Sequence, residues 1–471
     1  MQLYKIRCLY LPVLGFILLL LPIQMLYAQA EPLLLSDVIN TGLNNYQSIQ
    51  AKRNYYNATV AMVQNTRNEY LPNVVGSLQQ DFGTVNGQFG PLTGYGALGV
   101  SSSGPSNISQ SWHAAFGSSY LINTNWEVFT FGRLTSKIKW YQAQANRDSA
   151  DLTQEQFVQS VRISSAYLNL LIAQRLISTA KANVERVMFV QRAVLARTRS
   201  GLNAGVDSSI VNAEVSSAKL ALINANNNEL QVRNQFAQSI NITPTQFVLD
   251  TSFFHNIPSE LNTTVDVSQN PQVKYYQTRI DVSNQEADYI KKSILPGLNL
   301  FGIFQTRGSG FDYDYSPVLN DNYSKNYFTG ITPKRMNYAT GISIAWNILS
   351  PKKISEQVRS QQFLTRAYEN EYDLVTTQLK AQLILADEQL QNSLQSYKEV
   401  PMQYKAASDA YLQKSVLYKN GLSNIIDVQQ ALYLLNRAET DLAVSYINVW
   451  QALLQKAAAS GDFNLLLRQV R

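Results

Sequence analysis

Two short stretches of the chain carry the same residues at the same spacing. RSGLNAGVDSSI contains Gly201, Leu202 and Asp207, and YKNGLSNIIDVQQA contains Gly421, Leu422 and Asp427. Each residue of the first set lies 220 positions before its counterpart in the second. A glycine tolerates the positive φ that ends a helix, and a leucine next to it stands on the outside of a turn. The acid five residues on falls in the first turn of a following helix. There it can cap amides and complement the helix dipole, a contribution of about 1 kcal/mol. It can also act as a bare carboxylate which, multiplied by symmetry, makes a cation-attracting ring. The other chemistry-bearing residues are sparse. His113 and His255 are the only histidines, without metal-ligand spacing. There is no glycine-rich phosphate loop and no nucleophile–base–acid set. The residues argue against catalysis, and no cofactor or metal is expected.

The turns belong to a larger duplication. Trp126-Glu-Val-Phe-Thr-Phe-Gly-Arg133 is matched 220 residues later by Trp346-Asn-Ile-Leu-Ser-Pro-Lys-Lys353. Tyr70-Leu-Pro72 is echoed by Ile294-Leu-Pro296, with slight slippage. A fixed period of this kind is the signature of an internal repeat. Between Arg133 and Ser200, and between Lys352 and Asn420, there is no glycine, and apolar or small residues recur at threes, fours and sevens. Such runs predict coiled-coil-like helices of roughly 100 Å, each followed past its turn by a returning helix. The returns are expected over Ser208 to about Ser239 and Val428 to about Ala459. Pro401 is expected to kink or interrupt the second long helix.

The remaining pattern has period two. Tyr338 to Ile348 alternates large apolar with small or polar residues, and Trp112, Phe116, Tyr120, Ile122 and Trp126 fall in phase. Partners are expected over Asn73 to Phe82 and Gly297 to Thr306. Strands of about ten residues with one apolar face suit a tilted bilayer crossing, with Trp112, Trp126, Tyr338 and Trp346 as an aromatic belt. A soluble sandwich uses the same alternation. The secretion signal favours the membrane: Lys5 and Arg7, an apolar run to Leu26 and Ala28-Gln29-Ala30 read as a signal peptide over residues 1–30. Cys8, the single cysteine, lies within it, so an exported chain of about 441 residues has no disulfide and is not a lipoprotein. Loss of Lys5 and Arg7 lowers the net charge from +6 to +4, and no basic run suggests nucleic acid. The strands of each pair are joined by long Gly/Ser/Asn/Tyr-rich loops, residues 83–110 and 307–336, for whose tips low-complexity disorder is the alternative. The division expected is a first repeat over 31–240, a linker over 241–270, a second repeat over 271–460 and a tail over 461–471.

Two strands per copy make four per chain, and four strands cannot close in lipid without unpaired amides costing several kcal/mol each. The chain must therefore assemble into a ring, with polar helical hairpins packed into a conduit in the aqueous compartment.

With its two-fold repeat, its strand–Trp–long-helix junctions, its Leu-Pro strand entries and its G-L-x4-D turns, the chain resembles the TolC-type outer-membrane efflux proteins over essentially its whole mature length. The resemblance implies a homotrimer in the Gram-negative outer membrane. Its 12-stranded transmembrane β-barrel would take four strands per chain and continue into a periplasmic α-helical barrel. It implies a periplasmic adaptor and an inner-membrane transporter as partners, with Gly201, Leu202, Gly421 and Leu422 at the adaptor-facing tips. Polypeptide export with a type I secretion transporter is the alternative within the family, and a barrel-anchored coiled-coil stalk the alternative outside it. By the same resemblance Asp427 lines the closed entrance. The family's second acid is here Gln430, so the ring is expected to be half as charged. The family's lock joins the first-copy acid to a tyrosine and an arginine; Asp207 and Tyr418 match two of them, while Ser423 replaces the arginine. The expectation is a closed state held by a direct Asp207–Tyr418 hydrogen bond.

Overall fold

The computed structural model describes residues 32–86, 92–95, 98–101, 108–258, 266–316 and 321–470. The expected signal peptide over 1–30, with Cys8, lies outside the described residues, as do parts of both long loops.

The chain opens with α1 (Leu35–Asn45) and α2 (Gln47–Asn68), then β1 (Asn73–Thr84), a small hairpin of β2 (Leu92–Tyr95) and β3 (Leu98–Ser101), and β4 (Ala114–Phe129). Two helices follow, α3 (Arg133–Arg199) and the returning α4 (Gly205–Ser239). The second half runs α5 (Pro271–Lys292), β5 (Gly297–Ser309), α6 (Tyr327–Ile331), β6 (Arg335–Ala345), α7 (Ser350–Lys419), α8 (Ile425–Ser460) and α9 (Asn464–Leu467). The order helix, strand, strand, long helix, returning helix thus occurs twice. The long helices have 67 and 70 residues, about 100 Å each at 1.5 Å per residue. A stalk needs no returning helix, and here both helices return. Among the described residues no helix is long and apolar enough to cross a membrane.

Two expectations are corrected at this level. Pro401 does not interrupt α7, which is continuous across it. The proline removes one hydrogen bond of the ladder, and the turns on either side retain theirs. Trp112 does not belong to a strand: it lies two residues before β4 and is 82% exposed. The backbone around it is held by side chains instead of a strand partner. Asn86 Oδ1 accepts from Ser111 N at 2.7 Å, Asn86 Nδ2 donates to Ser111 O at 2.9 Å, and Ser111 Oγ accepts from His113 N at 3.2 Å.

The main sheet is antiparallel in the order β1-β4-β5-β6, leaving β1 and β6 as open edges. Its register decides which residues share a face. Leu78 opposes Tyr120, which opposes Thr306; Ile122 opposes Phe304, which opposes Tyr338; Trp126 opposes Leu300, which opposes Ile342. One face is therefore apolar, and it is exposed at Val74, Leu78, Phe82, Ile122, Phe304, Tyr338, Ile342 and Ile344. The other face carries Asn73, Ser77, Gln79, Ser119, Asn123, Asn125, Gln305, Asn337 and Ser343 in register.

At the helical end of the sheet, Trp126 Nε1 donates to Tyr70 O at 2.8 Å and Trp346 Nε1 to Ile294 O at 2.9 Å. In both halves the tryptophan is thus pinned to the residue before Leu-Pro. Proline cannot donate to a ladder, and the indole N–H takes up the carbonyl two residues before it. Trp346 itself follows β6 by one residue. At the far end, α6 lies against the apolar face, where Ser118 Oγ and Tyr120 Oη each donate to Ile331 O at 3.0 Å.

The largest core joins the two halves midway along the helices. Leu35, Ile163, Tyr167, Leu171, Phe236, Phe253, Leu453 and Trp450 are all buried in it. Its polar atoms are satisfied: Tyr167 Oη donates to Leu33 O at 2.8 Å and accepts from Asp250 N at 2.9 Å, and Trp450 Nε1 donates to Phe253 O at 3.1 Å. Burial pushes the Tyr167 phenol far above its ordinary range. Farther along, Arg186 grips Glu439 with two bonds of 3.1 and 2.6 Å, fastening α3 to α8. The two hairpins therefore run side by side to a common end.

Candidate functional site at the hairpin tips

Both long helices stop in the same way. Gly201 and Gly421 have φ of +74° and +77°. Gly201 N donates to Thr198 O and Leu202 N to Arg197 O, and Gly421 N and Leu422 N repeat the pair onto Tyr418 O and Leu417 O. This is the Schellman pattern, which uses the last free carbonyls of each helix. Leu202 and Leu422 are left 70% and 75% exposed. Neither packs back on its own hairpin.

Tyr418 sits between the tips, 5% exposed, among Val190, Val194, Val211, Ile425 and Val428. Burial is the main reason its phenol is pushed above the ordinary value. No direct bond links it to Asp207, contrary to expectation. Asn203 Nδ2 stands between them, donating to Tyr418 Oη at 2.9 Å and to Asp207 Oδ2 at 2.8 Å. An amide has two hydrogens, so one side chain serves both partners.

An arginine reaches the second tip from the first hairpin. Arg197, in the last turn of α3, donates from Nη1 to Tyr418 O at 3.1 Å and Lys419 O at 3.3 Å, and from Nε to Asn203 Oδ1 at 3.0 Å. Its guanidinium lies 5.3 Å from the centre of the Tyr418 ring. A cation here complements the negative end of α7 as well as filling its open carbonyls.

Asp427 does not cap its helix either. The cap of α8 is Asn424, whose Oδ1 accepts from Asp427 N at 2.8 Å. α4 has no side-chain cap, and the Asp207 carboxylate is spent on Asn203. The Asp427 carboxylate instead accepts from Lys414 Nζ at 2.9 Å and Ser423 Oγ at 3.0 Å. These two bonds, Lys414 first, hold it below the usual carboxylate range. Gln430, one turn on, is exposed.

The structure thus brings Asp207, Tyr418 and the two turns together. It sets Asp427, Ser423 and Gln430 around the second turn. Arg197, Asn203, Lys414 and Asn424 escaped the sequence reading. One signal was present: Asn203 and Ser423 occupy equivalent places in the two copies, and each bonds the acid four residues on. Arg197 left none, because its equivalent is Leu417. Among the described residues no cluster of three or more His, Cys, Asp or Glu could hold a metal ion.

The arrangement fastens the ends of the two hairpins to each other through Arg197, Asn203 and Tyr418. Residues 38–241 match the model of the outer membrane efflux protein family. No curated protein sequence matches the chain. Among solved structures, the fold is similar to the MtrE outer membrane channel of Neisseria gonorrhoeae in its open state. That match has a TM-score of 0.69 and 17% identity over 93% of this chain and 90% of that one. The CmeC outer membrane channel of Campylobacter jejuni gives 0.71 and 14% over 91% and 85%. The outer membrane protein VceC of Vibrio cholerae gives 0.69 and 13% over 91% and 96%.

Proposed function

We propose that this chain is a member of the outer membrane efflux protein family, whose model matches residues 38–241, and that three copies form one exit duct. The four strands of each chain close edge to edge into a 12-stranded barrel in the Gram-negative outer membrane, β1 of one copy beside β6 of the next. The helical hairpins of two repeats, 31–240 and 271–460, with 241–270 as the linker, continue the duct into the periplasm. Cargo delivered by an inner-membrane transporter and a periplasmic adaptor leaves through it. The protein conducts and does not catalyse.

The observation that carries this reading is the sheet. One face is exposed and apolar over all four strands, the other is richer in polar residues with Val75, Leu121, Phe301 and Ile303 among them, and both edges are open. In water such a face would be an aggregation surface, and in lipid such edges leave unpaired amides. Both costs vanish in a closed barrel. Trp126, Tyr338 and Trp346 stand in its aromatic belt. Asp427 and Gln430 line the constricted entrance, with Asp207, Tyr418 and Ser423 holding it. Gly201, Leu202, Gly421 and Leu422 present the tips to the adaptor.

Cysteine crosslinking from Leu202, Leu422 and Ser423 to the cognate adaptor tests the docking. Crosslinks at the tips are expected; crosslinks confined to the flanks of α3 and α7 would overturn tip-to-tip contact.

A further inference from the structure

The polar face of the sheet holds few charges, and they are uneven. In the strand register it carries Asp81, Glu127, Arg307 and Arg335. Glu127 is bonded by Arg133 at the helical end. At the far end Arg307 and Arg335 lie directly opposite each other on β5 and β6. Both are exposed. Like charges opposed across a ladder are destabilising, and a folded protein ordinarily separates or neutralises them. Here neither side chain makes an ion pair or hydrogen bond among the described residues. The acids of the neighbouring loop are engaged elsewhere: Asp321 meets His113 at 2.8 Å and Asp314 accepts from Asn322 at 3.2 Å. Gln305 and Asn337, one step along the same face, are neutral donors. α6 covers the opposite, apolar face and leaves the arginines open.

We propose that Arg307 and Arg335 form an anion-binding collar in the outer part of the duct, recognising cargo with several phosphate or carboxylate groups. The proposal rests on the trimeric barrel above, which turns the polar face to the lumen and gathers six guanidinium groups around one axis. Three Asp81 carboxylates are too few to neutralise them. Guanidinium binds phosphate and carboxylate oxygens in pairs, and a ring of such groups selects anions as acidic rings select cations. A lipid headgroup is not the ligand, because that face is turned away from the membrane.

The test is calorimetric titration of the full-length protein, purified in a neutral detergent, with inositol hexakisphosphate. Native mass measurement of the same sample reports the trimer independently. Saturable binding of one probe per three chains is expected, weakening as salt is raised. R307Q/R335Q should weaken it by about ten-fold or more, whereas R307K/R335K, which keeps the charge, should lose much less. Equal affinity of wild type and R307Q/R335Q in an intact trimer would overturn the collar alone. A stable monomer would overturn the barrel, and the collar with it.

Discussion

At the residue scale, the side chains that tie the two tips together contribute unequally. Arg197 makes three charge-assisted bonds and a ring contact, and Tyr418 Oη makes one neutral bond to Asn203. Hydrogen bonds to charged groups contribute about 1.5–3 kcal/mol each and neutral ones about 1. Arg197→Ala should therefore raise the resting conductance in planar bilayers more than Tyr418→Phe does; the reverse order would displace Arg197 from the lock. Asp427 gives a pH test. Its folded carboxyl lies below its unfolded value, so its contribution is fully present above the unfolded value and lost as pH falls through the depressed one. Resting conductance should be flat from about pH 8 to about pH 5 and change only below about pH 4. Lys414→Met removes the leading cause of the depression, so in that variant the change should begin at higher pH.

At the element scale, two kinds of helix-ending glycine respond differently to substitution. A Cβ at Gly201 meets nothing within 4 Å, so Gly201→Ala pays only the left-handed backbone strain, roughly 1–2 kcal/mol. At Gly461, which ends α8 with φ +81°, a Cβ would stand 2.4 Å from the Asn270 backbone. There Asn270 Nδ2 ties the second repeat's start to the carbonyls of Ala458 and Ala459 at 3.1 and 3.0 Å. Gly461→Ala should lower the thermal midpoint clearly more than Gly201→Ala, measured by circular dichroism on the detergent-solubilised protein. Pro401→Ala restores one ladder bond in the interior of α7 and should raise the midpoint or leave it unchanged. A marked fall would show that the local geometry of the proline is needed for packing.

At the scale of the whole molecule, the open sheet and the exposed apolar face require company. The mass of the detergent-purified, unheated complex should be that of three chains, dissociating on heating. A stable monomer would remove the barrel, the ring at Asp427 and the shared tunnel together. The exposed leucines Leu202 and Leu422 belong to the same scale, since single exposed leucines gain meaning only when several copies meet a common partner.

The long helices, the strands and the two turns were legible in the sequence because each rests on a local rule. Glycine-free runs with three–four spacing propagate as helix, alternation of period two builds a sheet with two faces, and Gly201 and Gly421 stop the helix through a φ other residues avoid. The strand ends were less legible: Trp112 keeps the alternation but loses the ladder to side chains of Asn86 and Ser111. Pro401 obeys the local rule against helix and is overruled by the 69 other residues of α7 and the elements packed on it. The contacts between the tips were beyond local reading. Asp207 and Tyr418 were found as residue types, but which of them touch was decided by how the two hairpins lie together. That packing carries Arg197 across 221 positions to the carbonyl of Tyr418 and inserts Asn203 between tyrosine and acid. Spacing along the chain determines which way a side chain faces on its own element; only the juxtaposition of distant elements determines what it meets.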